Sequence, residues 1–146
     1  MIIDRLREDM KTALKAGDKA RLGVVRMLIS ELKNARIAQG DELDDAAEQK
    51  VVASYAKKRK EAVDAARDVG RDEVAEKEAF EYEVTMSYLP EQLGEDALEA
   101  IVKKHVEAAS GEGNQAFGLV MKAVMAEVGS QADGRAVSAL VRKLLS

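Results

Sequence analysis

A single proline, Pro90, interrupts a chain whose apolar residues otherwise recur at helical spacing. Proline lacks an amide hydrogen and disfavours the α conformation in the residue before it. Pro90 should therefore end one helix and set the direction in which the chain restarts. The neighbouring Tyr88, Leu89 and Leu93 are apolar, which is unlike a solvated linker. We interpret residues 87–94, the Pro90 segment, as a packed hinge between two helical units.

Apolar residues at spacings of three and four predict seven helices, and no stretch alternates with the period of two that a β-strand needs. The predicted helices cover residues 2–16, 19–39, 45–69, 73–88, 95–109, 115–128 and 135–145. Their expected N-terminal caps include Asp18, Asp44 or Asp45, and Asp133. The fold class is predicted to be all-α, with long helices in residues 1–90 and a three-helix bundle in residues 91–146.

The composition excludes several kinds of site. The chain of 146 residues has no cysteine and one histidine, which rules out disulfides, thiolate metal sites and His-rich metal sites. No metal or cofactor is therefore expected. No apolar run approaches the roughly 18 residues of a membrane span, and the first residues do not resemble a signal peptide. We expect a cytoplasmic protein that does not enter a membrane.

Charge is distributed unevenly along the chain. The net charge of −4 predicts no bulk attraction to nucleic acid, so any such contact must be a local patch. Residues 113–146 nevertheless carry a surplus of two positive charges. This segment combines four basic and two acidic side chains: Lys122, Arg135, Arg142 and Lys143, with Glu127 and Asp133.

Two glycines lie beside these cations. Asp133 can cap the last helix, and the following Gly134 and Arg135 place a flexible backbone and a guanidinium at a helix N-terminus, where anions bind readily. Such caps are common, so the pattern is weak by itself. Gly118, one helical turn before Lys122, allows close approach of the backbone by a neighbouring helix or by a phosphate.

Other conspicuous residues favour structural roles. The basic run at residues 57–60 points around most of a helix and indicates a solvated face. His105 lies on an apolar stripe without a motif that would make it catalytic. Phe117, Met121 and Met125 repeat at helical spacing, which is typical of a bundle core but also of a partner groove. The glutamates of the fourth helix are predicted to face water: Glu73, Glu76, Glu78, Glu81 and Glu83.

Taken in order, a set of short motifs resembles the GatB/YqeY family in its stand-alone form. The motifs lie at residues 22–34, 57–59, 70–72 with 76–78, 88–93, 118–122, and 132–135 with Val137. The resemblance covers nearly the whole chain and implies an N-terminal helical domain followed by a C-terminal three-helix domain. The family often has a basic residue just before Ala-Asp-Gly, where this chain has Ser130 and Gln131.

The resemblance also implies a function. A similar region forms the tail of the B subunit of the tRNA-dependent amidotransferase, which converts Glu-tRNA(Gln) or Asp-tRNA(Asn) to the amidated form. In that enzyme the tail helps to hold the outer corner of tRNA. The amidation chemistry, described by the family label of carbon–nitrogen ligase with glutamine as amido donor, sits in a separate catalytic cradle that this chain lacks.

Three hypotheses follow. The first is a non-enzymatic module that binds tRNA or associates with an amidotransferase or another translation-related protein. Its candidate contacts are Gly118, Lys122, Gly134, Arg135, Arg142 and Lys143. The second is a protein–protein adaptor that uses the methionine-bearing face of the sixth helix and binds no nucleic acid. The third is a true glutamine-dependent amidotransferase, which the missing cradle disfavours.

Overall fold

The computed structural model describes residues 1–146 and confirms the all-α fold class. It contains seven α-helices and no strand. They are α1 (Ile2–Ala16), α2 (Lys19–Gln39), α3 (Asp45–Asp68), α4 (Asp72–Met86), α5 (Glu95–Ala108), α6 (Ala116–Val128) and α7 (Gly134–Leu145). Short 3-10 turns at Gly113–Gln115 and Gly129–Gln131 occupy parts of the segments predicted to be loops.

Local capping sets most helix ends. The side chains of Asp18, Asp44 and Asp133 each accept a hydrogen bond from a first-turn amide, at 3.1, 2.8 and 3.3 Å. Gly17 ends α1 with a left-handed φ of 70°, a conformation that glycine adopts without steric cost. α4 ends at Met86, two residues before the predicted end, because the chain tightens into i to i−3 hydrogen bonds ahead of Pro90.

The chain forms two compact units, Met1–Leu89 and Pro90–Ser146. In the first unit α2 and α3 each pack against the other three helices. The largest fully buried side chains of the first unit are Leu6, Val25, Leu28 and Val52. In the second unit α5, α6 and α7 pack pairwise around a core that is mostly valine: Leu98, Val102, Val120, Val124, Val128, Val137 and Val141.

The first half of the Pro90 segment belongs to the first unit. Tyr88 is buried in its core, and the tyrosine hydroxyl donates a short hydrogen bond to the carboxylate of Asp9. The guanidinium of Arg5 lies 5.0 Å from the centre of the Tyr88 ring and donates to the carbonyl of Ser87 at 3.2 Å. Burial and the bond to Asp9 raise the pKa of the Tyr88 hydroxyl, which stays protonated and donating.

The residues after Pro90 are held within the second unit. The amide of Leu93 donates to the carbonyl of Gln131 at 2.8 Å, and the side chain of Gln92 donates to the carbonyl of Ser130 at 2.8 Å. The Gln131 side chain donates in return to the carbonyl of Glu91 at 3.2 Å. Ser130 and Gln131 thus fix the chain ahead of α5.

A buried carboxylate joins α3 to the beginning of α1. Glu48 is 2% exposed, and its two oxygens accept hydrogen bonds from the amides of Ile2 at 2.9 Å and Ile3 at 3.3 Å. These amides belong to the first turn of α1, where no intrahelical partner exists. A carboxylate there also interacts favourably with the positive end of the helix dipole. Glu48 therefore caps a helix other than its own.

An ionic cluster lies between α3 and α4, and the low exposure of its side chains contradicts two sequence predictions. Arg59 was expected on a solvated face and Glu78 and Glu81 were expected in water, but all three side chains are 26% exposed or less. Arg59 lies 3.0 Å from Glu78 and 3.6 Å from Glu81, with its guanidinium 4.9 Å from the centre of the Tyr55 ring. The small residues at the α3–α4 contact, Ala66 and Ala75 among them, bring the helices close enough to cover these charges.

We predict that Glu48→Ala lowers the free energy of unfolding by about 1.5–3 kcal/mol, because it removes a charged acceptor from two helix-end amides. Glu48→Gln keeps one carbonyl oxygen and should cost less. Urea unfolding followed by circular dichroism measures both. The exposed Glu61, also on α3 and without an ion-pair partner, serves as control: Glu61→Ala should change stability by less than about 0.5 kcal/mol.

The Arg59 cluster also predicts a dependence on pH. Burial, followed by the charge of Glu78, raises the pKa of Glu81 above its ordinary value of 4.5. A carboxyl group with a raised pKa binds its proton more tightly in the folded state, so its contribution to stability falls as the pH rises above 4.5. The stability of Glu81→Gln relative to the wild type should therefore increase between pH 4.5 and about pH 7. Unfolding curves at the two pH values test this, and an unchanged difference would contradict it.

Candidate functional site

Two arginines share one face of α7. Arg135 and Arg142 are seven residues apart, and this spacing of about two helical turns puts them on the same side, with a rise of about 10 Å between them. Both are exposed, and neither has an ion-pair partner. Lys143 is exposed and unpaired as well but projects about 100° around the helix from Arg142. The predicted cations of α7 are therefore available to a ligand.

The start of α6 lies beside the end of α7. The guanidinium of Arg142 lies 5.5 Å from the centre of the Phe117 ring, within the range of a cation–π interaction. Phe117 immediately precedes Gly118, and the exposed Lys122 follows one helical turn later. The structure thus brings Arg142 to the first turn of α6. It gives no contact that links Arg135 or Lys143 to α6.

Both acidic groups of residues 113–146 are already engaged. Glu127 pairs with Lys104 at 2.5 Å and lies 3.4 Å from His105, and the hydrogen bond from Lys104 is the main reason why the pKa of Glu127 is lowered. Asp133 caps α7. Because both carboxylates have partners and none of the four cations forms an ion pair, the positive surplus of this segment is exposed at its surface.

Neither candidate glycine is required by the fold. Gly118 and Gly134 do not have a positive φ, and a Cβ atom built on either would meet no other atom within 4 Å. The interpretation that Gly118 admits a neighbouring helix is therefore wrong. The other expectation, approach of a phosphate to the backbone at Gly118, stays a prediction, and the space beside Gly134 is equally open.

The structure also corrects the interpretation of Phe117. The sequence pattern favoured the core and left a partner groove as the alternative, but Phe117, in the first turn of α6, is 36% exposed. Met121 and Met125 are half-buried and pack against the core of the second unit. Leu119 is 45% exposed. The contact between Phe117 and Arg142 was missed, because no spacing rule connects two residues on different helices.

His105 is half-buried on α5, which agrees with a structural role. No group of three or more His, Asp or Glu side chains is arranged to hold a metal ion. None of the helices has the length and apolar composition needed to cross a membrane.

Comparison with known proteins identifies the family. Residues 3–145 match the family model described as Yqey-like protein. The chain belongs to the YqeY-like family. Among curated relatives of this family member is "Altered inheritance of mitochondria protein 41, mitochondrial" from Pyrenophora tritici-repentis. It is 26% identical over 148 residues, which cover 99% of this chain and 81% of the relative.

Two relatives with the same name match over a shorter range. The protein from Lachancea thermotolerans is 32% identical over 88 residues, and that from Eremothecium gossypii is 29% identical over 85 residues. These matches cover 60% and 58% of this YqeY-like chain and 47% and 46% of the relatives. The relatives are named as mitochondrial proteins, and a cytoplasmic location for this chain stays a prediction.

We predict that Gly118→Ala does not destabilise the protein, because the added methyl group meets no neighbour and alanine favours helix over glycine by up to about 1 kcal/mol. Gly23 of α2 is a matched control, since it is also helical, exposed and without a neighbour at its Cβ position. Thermal unfolding of both variants tests the prediction. A clear loss of stability in Gly118→Ala alone would mean that α6 needs glycine for its own structure.

Proposed function

We propose that this YqeY-like protein is a non-catalytic tRNA-binding module whose RNA contacts lie in the unit Pro90–Ser146. We propose tRNA as the ligand because of the family resemblance: the similar tail of the amidotransferase B subunit holds the outer corner of tRNA. The proposed contacts are Gly118, Lys122, Gly134, Arg135, Arg142 and Lys143. Delivery of the bound tRNA to an amidotransferase is the proposed context, and the amidation chemistry belongs to that partner.

The observation that carries the proposal is the set of unpaired cations beside open glycines. Lysine and arginine side chains supply most of the affinity for a nucleic-acid backbone, because each neutralised phosphate releases counterions. The open backbone at Gly118 and Gly134 lets a phosphate approach more closely than any side chain would allow. Such contacts recognise the shape and charge of RNA and not its sequence.

The salt dependence of tRNA binding tests whether the cations contact phosphates. If the four side chains each contact one phosphate, the logarithm of the tRNA association constant should fall with the logarithm of salt concentration at a slope of about −3. The double variant Arg135→Gln with Arg142→Gln should reduce the steepness by about 1.5. Electrophoretic mobility shift or fluorescence anisotropy at several salt concentrations measures both slopes.

A matched control separates local contacts from net charge. Arg26 and Arg71 are exposed arginines of the first unit without ion-pair partners, so Arg26→Gln with Arg71→Gln removes the same charge elsewhere. This control should leave the slope unchanged. The proposal fails if no complex with tRNA forms at low salt, or if the control lowers the slope as much as the α7 variant does.

Gly118→Ala tests the approach to the backbone separately. If RNA contacts the chain at Gly118, the variant should bind tRNA more weakly while its stability stays the same or rises. Gly23→Ala should gain similar stability and bind tRNA like the wild type. Equal tRNA affinity of both glycine variants would remove Gly118 from the interface without affecting the cations.

One observation favours the adaptor hypothesis as a second candidate. Met121 and Met125 are half-buried, so the methionine-bearing face of α6 keeps accessible apolar surface. A partner protein seated there should be recovered after nuclease treatment and lost in Met121→Glu. In that case the same preparations would show no tRNA complex, which distinguishes the adaptor from the RNA-binding module.

A further inference from the structure

We propose that Phe117 and Arg142 form a stacking site for one unpaired nucleobase of the bound RNA. This inference rests on the proposed function and adds a ligand class that phosphate contacts alone do not require. It predicts that the protein distinguishes RNA with unpaired bases from RNA that is fully paired.

The exposure of Phe117 sets it apart from the other aromatic residues. The chain has five of them, and Tyr55 and Tyr88 are buried while Phe80 and Tyr82 are half-buried. Phe117 is the exposed member, at 36%. It lies in the first turn of α6, next to the open backbone of Gly118.

Arg142 adds a positive charge and a second planar surface to the site. A guanidinium 5.5 Å from the ring centre is planar, stays charged at all physiological pH values, and offers a second surface on which an aromatic base can stack. Unpaired bases in RNA are recognised in this way, on aromatic side chains and on arginine planes. Within the last 34 residues no other cation lies over an aromatic ring.

The same geometry accounts for the neighbouring glycine. A nucleotide whose base stacks on Phe117 carries its own phosphate a short distance away, and Gly118 leaves the backbone beside the ring free of a side chain. Phe117 has no hydrogen-bonding group that could read the edge of a base. We therefore infer that stacking on Phe117 selects for an unpaired base without distinguishing among the four, so any preference for one base would come from the N–H donors of Arg142.

Leu119 serves as the control that distinguishes base stacking on Phe117 from binding to any exposed apolar surface. It lies two residues from Phe117, is more exposed at 45%, and projects about 200° around the helix from the phenylalanine. A protein partner that needs exposed apolar area would be sensitive to both residues. A stacked base needs only the aromatic ring.

The experiment compares two RNA probes of equal length: a hairpin with an unpaired loop and a blunt, fully paired duplex. The wild type should bind the hairpin more tightly. Phe117→Leu should weaken hairpin binding about 5- to 150-fold, the range expected for loss of one stacked base, and should remove the preference over the duplex. Its salt slope should stay that of the wild type, since no charge is lost.

Three further variants complete the test. Phe117→Tyr retains the ring and should restore the preference, Leu119→Ala should bind like the wild type, and Arg142→Lys should keep the charge but lose part of the preference. Circular dichroism melting of each variant confirms that it is folded. Rescue by tyrosine distinguishes stacking from a packing role of Phe117.

The outcomes separate the two proposals. If Phe117→Leu and the wild type bind the hairpin equally while the salt slope persists, the stacking site is overturned and the cation interface stands. If Leu119→Ala weakens binding as much as Phe117→Leu does, stacking is overturned in favour of an apolar contact. If the wild type binds neither RNA at any salt concentration, both proposals fall.

Discussion

Hydrogen bonds at helix ends hold the N-terminal unit in one arrangement. Every helix leaves amides at its start and carbonyls at its end without intrahelical partners, and burying them unpaired is costly. Here Glu48 reaches from α3 to the first amides of α1, and Arg5 reaches from α1 to the carbonyls that follow α4. The aliphatic core drives these helices together, while these polar bonds specify which end of which helix lies next to which neighbour.

The C-terminal unit differs from the N-terminal unit in the composition of its core and in its exposed charges. Its core is built almost entirely from valine, and the side chains proposed to contact RNA lie outside this core. Lys122, Arg135 and Lys143 have no ion-pair partner, while the segment's two carboxylates are engaged by Lys104 and by the start of α7. Buried polar groups thus connect helices of the first unit, while the second unit also carries exposed cations without an ion-pair partner.

Much of the fold could be predicted from the sequence, because helical periodicity and capping are local. Asp18, Asp44 and Asp133 cap as their positions indicate, and the seven helices lie within two residues of their predicted bounds. The burial of Glu48, Glu78 and Glu81 could not be predicted, since it depends on a neighbouring helix that covers each carboxylate. A carboxylate near a helix start or on a charged face has the same sequence pattern whether it is covered or not.

The candidate site was predictable to a similar degree. The cations and glycines stood out as a cluster in the sequence, because charge surplus and turn residues are visible without a structure. The exposure of Phe117, its contact with Arg142, and the empty space beside Gly118 are three-dimensional facts about two helices at once. The empty space rules out helix packing as the role of Gly118 and leaves ligand access as a proposal.

The contrast between an acidic protein and a basic surface has a kinetic consequence. Beyond a Debye length of about 8 Å at physiological ionic strength, an approaching polyanion experiences little of the individual charges. At closer range the local charges decide, and the exposed, unpaired Arg135 and Arg142 offer it positive charge although the net charge of the chain is −4. If RNA binds as proposed, the collisions that persist would be those that reach these two arginines. Selection of this kind would suit the proposed delivery of bound tRNA to a partner.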